Sequence, residues 1–259
     1  MDALVIAGGT PGPEDPLFPY TRGQAKSMVD VAGKPMVQWV LDALSGASAV
    51  DRVVVSGLSA DAGVTCAKPS TFIPDQGTML DNIKAGLRRV LEFDPAARHA
   101  LVVSSDIPGI TSAMVDWRAQ RVAEAGGDLD YAVIERSVME KRYPGSKRSY
   151  TRLKDAEVCG GDLNAVRPAL ATDEGVWERL IAARKNALKQ AALLGFDILA
   201  LLLMGRLSLA DAEVKVSKRL GINGKVCLSP YAEIGMDVDK PHQLEIMRQD
   251  LVSRSAQPA

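Results

Sequence analysis

The sequence predicts an α/β fold in which a largely parallel sheet is covered by helices on both faces. Three observations carry this. Short continuous apolar runs ending at turn residues alternate with segments of helical periodicity. The chain has 259 residues, a length that allows one large domain. Of these, 47% are hydrophobic, enough for a sizeable core. One compact domain over residues 1–259 is therefore expected.

The elements follow in order. "ALVIAGG" is an apolar run closed by glycines, the pattern of a parallel strand buried on both faces. "PMVQWVLDALSGA" sets Met36, Val37, Val40, Leu41 and Leu44 at helical spacing, with Pro35 suited to a first turn. "DRVVVSG" and "STFIPD" read as strands, "TMLDNIKAGLRRVLEF" as a helix and "HALVVSSD" as another strand. "TSAMVDWRAQRVAEAGG" (helix) and "LDYAVIERS" (strand) continue the alternation. The rhythm then changes, and a basic lobe or lid of short strands is expected at about 137–170. A helical insertion follows at about 173–220. "KVCLSP" and "AEIGMDVD" read as two short strands before a last helix, "KPHQLEIMRQDLVSR", and the final "SAQPA" reads as frayed.

Composition narrows the function. The 31 Lys and Arg residues nearly balance 32 Asp and Glu, so no overall field draws a long polyanion and nucleic acid is not an expected partner. Cys66, Cys159 and Cys227 are widely separated and odd in number. That argues against a disulfide framework or structural zinc and for thiols in a reducing compartment. Met1-Asp2 leads into the first strand without a signal-peptide pattern, so a cytoplasmic protein is expected.

Three stretches carry chemistry. A strand ending in Gly8-Gly9 brings backbone N–H groups close to anionic oxygens, which suits phosphate. A plain tight turn is the alternative. The P-loop pattern fails, because Met28 stands where its first glycine is needed before Gly33-Lys34, and GxGxxG does not fit. Arg22, Lys26 and Lys34 in the following loop can offset triphosphate charge, against the reading of a solvated loop. Asp106 follows the strand "ALVVSS" and faces the ligand crevice of a doubly wound sheet, where a hard carboxylate suits magnesium; helix capping is its alternative. Asp237 and Asp239 alternate on the expected strand at "GMDVD", and one of them can complete the metal site, while Asp239 can equally cap the last helix. His99 and His242 read as structural or exposed.

On "VIAGG", the loop lysine, "VAGKPMVQWVLDAL", "VVSSDIPGIT" and "GMDVDKPHQL", the sequence resembles the MobA-like NTP transferases, nucleotidyltransferases of the glycosyltransferase-A-like fold related to cytidylyl- and uridylyltransferases. The resemblance implies a Rossmann-like three-layer α/β/α domain with a mixed, mostly parallel sheet. It implies that Ala7, Gly8 and Gly9 form the nucleotide loop, that Lys26 contacts the triphosphate, and that Asp106 and Asp239 bind Mg²⁺. Gly77 and Thr78 fall where relatives form the base pocket, with a plain helix start as the alternative. The loop from Gly9 to Lys26 is longer than the family's, so a phosphate-binding role for Arg22 departs from the usual spacing. The implied reaction moves an NMP from an NTP to a phosphorylated small-molecule acceptor and releases pyrophosphate, with Lys26 and Asp106 as the catalytic pair.

Lys141, Arg142, Lys147, Arg148, Arg152 and Lys154 form a basic cluster able to grip an acceptor phosphate, against the reading of a solvated hairpin. Asn164 is a candidate to face the cleft. The segment 184–206 places Arg184, Lys185 and Lys189 before an apolar run and Arg206 after it, a pattern that suits peripheral membrane contact. A cover for the acceptor site or a homodimer interface together outweigh that reading. Two rivals to the transferase remain: a glycosyltransferase of the same fold that uses a nucleotide sugar, and a catalytically inactive nucleotide-binding regulatory module.

Overall fold

The computed structural model describes residues 1–177 and 196–256. Eleven strands and eight α-helices are described. In chain order they begin β1 (Asp2–Ile6), α1 (Phe18–Thr21), β2 (Asp30–Val31), β3 (Lys34–Pro35), α2 (Met36–Gly46), β4 (Val53–Ser56), β5 (Ser70–Ile73), α3 (Met79–Phe93) and β6 (Ala100–Ser104). They continue α4 (Ser112–Ala125), β7 (Leu129–Glu135), α5 (Arg136–Arg142), β8 (Thr151–Arg152), β9 (Glu157–Gly160) and β10 (Leu163–Val166). The remainder are α6 (Phe196–Leu203), α7 (Leu209–Leu220), β11 (Gly224–Leu228) and α8 (Pro241–Ser255).

The main sheet runs β5-β4-β1-β6-β10-β7-β9-β8, with β11 also paired to β7. β5, β4, β1 and β6 are parallel, β10 lies antiparallel between β6 and β7, and β11 is parallel to β7. The sheet is therefore mixed. The continuous apolar runs predicted this burial: Leu4 and Val54 face one layer while Ala3, Val5, Val53 and Val55 face the other. On the first face lie α3 and a 3-10 turn at Pro168–Thr172; on the second lie α2, α4 and α8. A third apolar group joins Val133, Leu153 and Val158 to Ile198 and Leu207, seating α6 and α7 over the far end of the sheet. The result is a three-layer α/β/α arrangement.

The chain leaves β1 for β4 and β5 on one side and places β6 on the other. The direction of winding thus reverses between β1 and β6, the position at which open α/β sheets hold ligands at their carboxyl ends. Gly8-Gly9 leaves one of these two strands and Asp106 the other.

Two local expectations change. No strand forms at "AEIGMDVD": Ala232–Gly235 is a 3-10 turn and residues 236–239 are loop. The alternating Met, Asp, Val and Asp pattern had suggested a strand, but the backbone N–H groups here go to turn and crossing partners. Met236 donates to Glu233, and Val238 donates to the Asp106 carbonyl at 2.9 Å. Residues 151–166 contribute their strands to the central sheet. Within the basic, turn-rich segment, α5 packs beside β7, β9 and the Ala232–Gly235 turn. Of the expected helical insertion, 178–195 lies outside the described residues, including Arg184, Lys185 and Lys189. In α6 Ile198 is buried whereas Leu203, and Met204 just after the helix, are exposed. Among the described residues no helix is long and apolar enough to cross a membrane.

Candidate active site

The floor of the site is built where β1 and β4 end together. The Ala7 N–H donates to the Ser56 carbonyl at 2.8 Å, extending the ladder past the strand. Gly57 then adopts φ 109°, and a Cβ there would lie 2.0 Å from the Gly8 nitrogen. Only glycine allows this backbone-to-backbone approach. Gly9, at φ 99°, donates its N–H to Asp75 Oδ2 at 3.3 Å.

The long loop folds back on itself and returns Lys26 to this floor. The Lys26 N–H donates to the Gly9 carbonyl at 3.1 Å, and Ser27 Oγ donates to the Ala7 carbonyl at 2.8 Å. Lys26 Nζ then donates to Asp106 Oδ2 at 2.7 Å and to Asp239 Oδ1 over a short contact. Three segments distant in sequence thus meet at one ammonium. Burial by itself lowers the pKa of this ammonium, but the charges and hydrogen bonds of Asp106 and Asp239 outweigh burial and raise it. Lys26 and Asp106 are 20% and 16% exposed, whereas Asp239 is 52% exposed, so the cluster opens to solvent on the Asp239 side.

Asp106 is not a helix cap: Thr111 caps α4, accepting from the Met114 N–H. Asp239 is not one either, because Lys240 occupies the cap position of α8 without a side-chain bond. The Asp239 N–H donates to Gln243 Oε1 at 3.0 Å, and Ser104 Oγ donates to Asp106 Oδ1 at 2.5 Å. The two aspartates of "GMDVD" meet different cations: Asp239 shares Lys26, and Asp237 pairs with Arg148.

A third carboxylate, Asp162, escaped the sequence reading. β9 and β10 run consecutively along β7, separated by a bulge at Gly161-Asp162, where Gly161 donates to Ala132 at 2.9 Å and Ser104 donates to the Asp162 carbonyl at 2.9 Å. Asn164 closes the bulge, accepting from the Ala132 N–H at 2.8 Å and donating to the Gly161 carbonyl at 2.9 Å. Its amide is thus held by backbone. Burial pushes the Asp162 carboxyl up to about 7; Asp106 and Asp239 add to this, while Arg148 and Lys26 oppose it. The available signal was the Gly160-Gly161 pair inside a strand pattern, which marks a bulge.

The other candidates are spread around this floor, and Gly77 is joined to Gly9 through the Asp75 carboxylate, which accepts from both N–H groups. Lys34 pairs with Asp42 at 2.7 Å and sits over the Trp39 ring. Arg22 is exposed, at the left-handed end of α1. Thr78 caps α3, and Gly77, at φ 89°, donates to Asp75 Oδ1. The buried Asn82 ties this turn to β4, accepting from Ser56 Oγ and donating to Asp75 Oδ1. The basic segment is dispersed. Arg142 is bound by Glu233 and Asp250, Lys141, Arg152 and Lys154 are exposed, and Arg148 is the member that reaches the aspartates. His99 and His242 bond the backbone carbonyls of Gly127 and Ser146.

Among the described residues no three acidic, histidine or cysteine side chains converge on one metal position. Asp106 and Asp239 nevertheless supply two hard oxygen ligands that already share a cation, the Lys26 ammonium. Magnesium keeps several waters and needs only one or two protein carboxylates beside substrate phosphates, so the pair fits it.

The model of the MobA-like NTP transferase domain matches residues 4–194. A hypothetical transferase from Thermus thermophilus is 31% identical, with a TM-score of 0.79 over 94% of this chain and 100% of its own. CMP:2-keto-3-deoxy-manno-octonic acid synthetase in complex with CTP is 15% identical, with a TM-score of 0.56 over 98% and 100%. The 4-diphosphocytidyl-2C-methyl-D-erythritol synthase of Anaerococcus prevotii is 11% identical, with a TM-score of 0.57 over 97% and 95%. The likeness to these last two is one of fold. No curated protein matches the chain in sequence.

Proposed function

This chain belongs to the MobA-like NTP transferase family, and on that premise we propose that it is a Mg²⁺-dependent nucleotidyltransferase acting on a phosphorylated small-molecule acceptor. An acceptor phosphate oxygen bonds to the α-phosphorus of an NTP, the bond from that phosphorus to the bridging oxygen breaks, and pyrophosphate leaves with the electron pair. The observation that carries this reading is Lys26 held between Asp106 and Asp239 beside Gly8-Gly9.

Asp106 and Asp239 would hold the magnesium, which when bound supplies charge neutralisation at phosphate oxygens. Lys26 is a mobile cation in the same place and exchanges its carboxylate partners for triphosphate oxygens when nucleotide enters. Gly8 and Gly9 let the phosphates approach the main chain. Asp162, protonated in part near neutral pH, keeps a third full negative charge away from the incoming phosphates. Catalysis of this kind rests on positioning and electrostatics and requires no protein nucleophile.

The test is pyrophosphate release from a panel of four NTPs with magnesium and phosphorylated acceptors. Asp106→Asn is expected to lower the rate by about 100-fold or more, while Lys34→Ala, whose ammonium lies with Asp42, keeps the parental rate. Release of a nucleoside diphosphate from a nucleotide sugar, without pyrophosphate from any NTP, would establish the glycosyltransferase instead.

A further inference from the structure

Next to the aspartates, the sheet face turned toward α3 contains a cavity of ≈ 360 Å³. Ile6, Val102 and Val166 form its floor, with Leu80, Ile83 and Trp177 among its walls. Ser104 and Asp162 line one end, and Asn164 lies level with Val102 along the floor. That end adjoins the proposed reaction centre, since Ser104 Oγ is bonded to Asp106. Asp162 there feels the charges of Arg148 and Lys26.

Much of the polar lining is already committed. Both ends of the Asn164 amide are bound to backbone, the Ser104 hydroxyl proton goes to Asp106, and Trp177 Nε1 donates to the Leu170 carbonyl at 2.7 Å. The capacity left over is the Tyr131 hydroxyl, the Asp162 carboxyl, one Asn164 N–H and the oxygen lone pairs of Ser104 and Asn164, whereas the apolar side chains that make up the rest of the described lining offer no partner. A sugar body brings several hydroxyl groups, and each one left unpaired on burial costs binding free energy. An aliphatic body asks for no partners and gains from leaving water.

Resting on the nucleotidyltransferase reading above, we propose that the acceptor is a phosphate monoester with an aliphatic body. Its phosphate lies at the polar end near Lys26 and Arg148, and its chain occupies the cavity floored by Val102 and Val166. The nucleotide then occupies the Gly8-Gly9 side and leaves this cavity free.

The probes are n-hexyl phosphate and glucose 1-phosphate, which present the same phosphate on an apolar and a polar body. Binding to the full chain is measured by titration calorimetry, alone and with the α,β-methylene analogue of whichever NTP stabilises the protein. Hexyl phosphate is expected to bind at least about tenfold more tightly than glucose 1-phosphate, and to do so with the nucleotide analogue bound. Ile83→Gln, on the half-buried side of α3, is expected to weaken hexyl phosphate by about tenfold while the nucleotide-induced rise in melting temperature is kept, which verifies the fold. Equal or tighter binding of glucose 1-phosphate overturns the proposal and leaves the nucleotidyltransferase reading intact. Competition between hexyl phosphate and the nucleotide analogue also overturns it, because the cavity then belongs to the nucleoside. If no NTP binds, the parent reading fails, and the hexyl phosphate titration still decides what the cavity accepts.

Discussion

At the scale of single residues the site is an electrostatic balance among Lys26, Asp106, Asp239, Asp162 and Arg148. Two carboxylates around one ammonium hold the lysine charged, and the third, Asp162, keeps its proton chiefly because it is buried, with the charges of Asp106 and Asp239 adding to the effect. This has a consequence for stability. Folding raises the Asp162 carboxyl from its ordinary 3.8 to about 7, so between those values the folded chain retains a proton that the unfolded chain has released. Stability therefore falls as pH rises through that window. Asp162→Asn is expected to flatten the fall and to exceed the parent by on the order of 1–2 kcal/mol at about pH 8. Urea midpoints from about pH 5 to pH 8, in chelator, read this out; parallel curves for the two proteins would count against it. Asp106 was legible in the sequence because a carboxylate directly after a buried strand has one main place to go. Asp162 was not, because its orientation depends on a bulge that no periodicity announces.

At the scale of elements, glycine geometry and one buried amide hold the floor in place. The end of β4 lies against the end of β1 with no room for a side chain at Gly57. Gly57→Ala combines a clash with backbone and a strained φ, and is expected to cost about 2–4 kcal/mol. The measurement is the denaturant midpoint together with the nucleotide-induced thermal shift, both of which should drop. A variant of parental stability would mean that the two strand ends can separate freely. The α-helices around this floor were readable from apolar spacing and from the helix starts at Thr78 and Thr111, while the capping bonds of these two threonines emerged in the structure. The 3-10 turn at 232–235 was not: "AEIGMDVD" alternates like a strand, and the crossing bond from Val238 to Asp106 that fixes its path is non-local.

At the scale of the molecule, the parallel half that carries Gly8-Gly9 and Asp106 must be locked to the mixed half that carries Asp162. Arg118 does this from α4. Its side chain is fully buried; Nε donates to Leu163 at 3.0 Å, and Nη2 donates to Asp130 Oδ1 at 2.7 Å. Arg118→Ala leaves the buried Asp130 carboxylate without its cation and is expected to cost about 3–5 kcal/mol. Pairing it with Asp130→Leu should recover much of the loss, which urea denaturation of the three variants measures. A loss for the single variant below about 1 kcal/mol would show that the ion pair does not join the halves. A second lock is α8, where Arg254 donates to the Gly109 carbonyl at 2.7 Å and pairs with Glu233. It ties the loop after Asp106 to the turn that leads to Asp239.

By itself the sequence determined the layered α/β architecture, the strands that would be central, and the glycine-ended first strand with Asp106 beyond β6. Apolar period, turn chemistry and strand ends are properties of contiguous residues. Only the tertiary structure decided that Asp239 rather than Asp237 meets Lys26, that Asp162 joins them, and that the basic segment disperses. Those outcomes depend on strand order, a bulge and the return of a long loop, which bring side chains together across wide separations in sequence. The free energy that selects them comes from packing of the whole sheet and its helices, not from any local stretch.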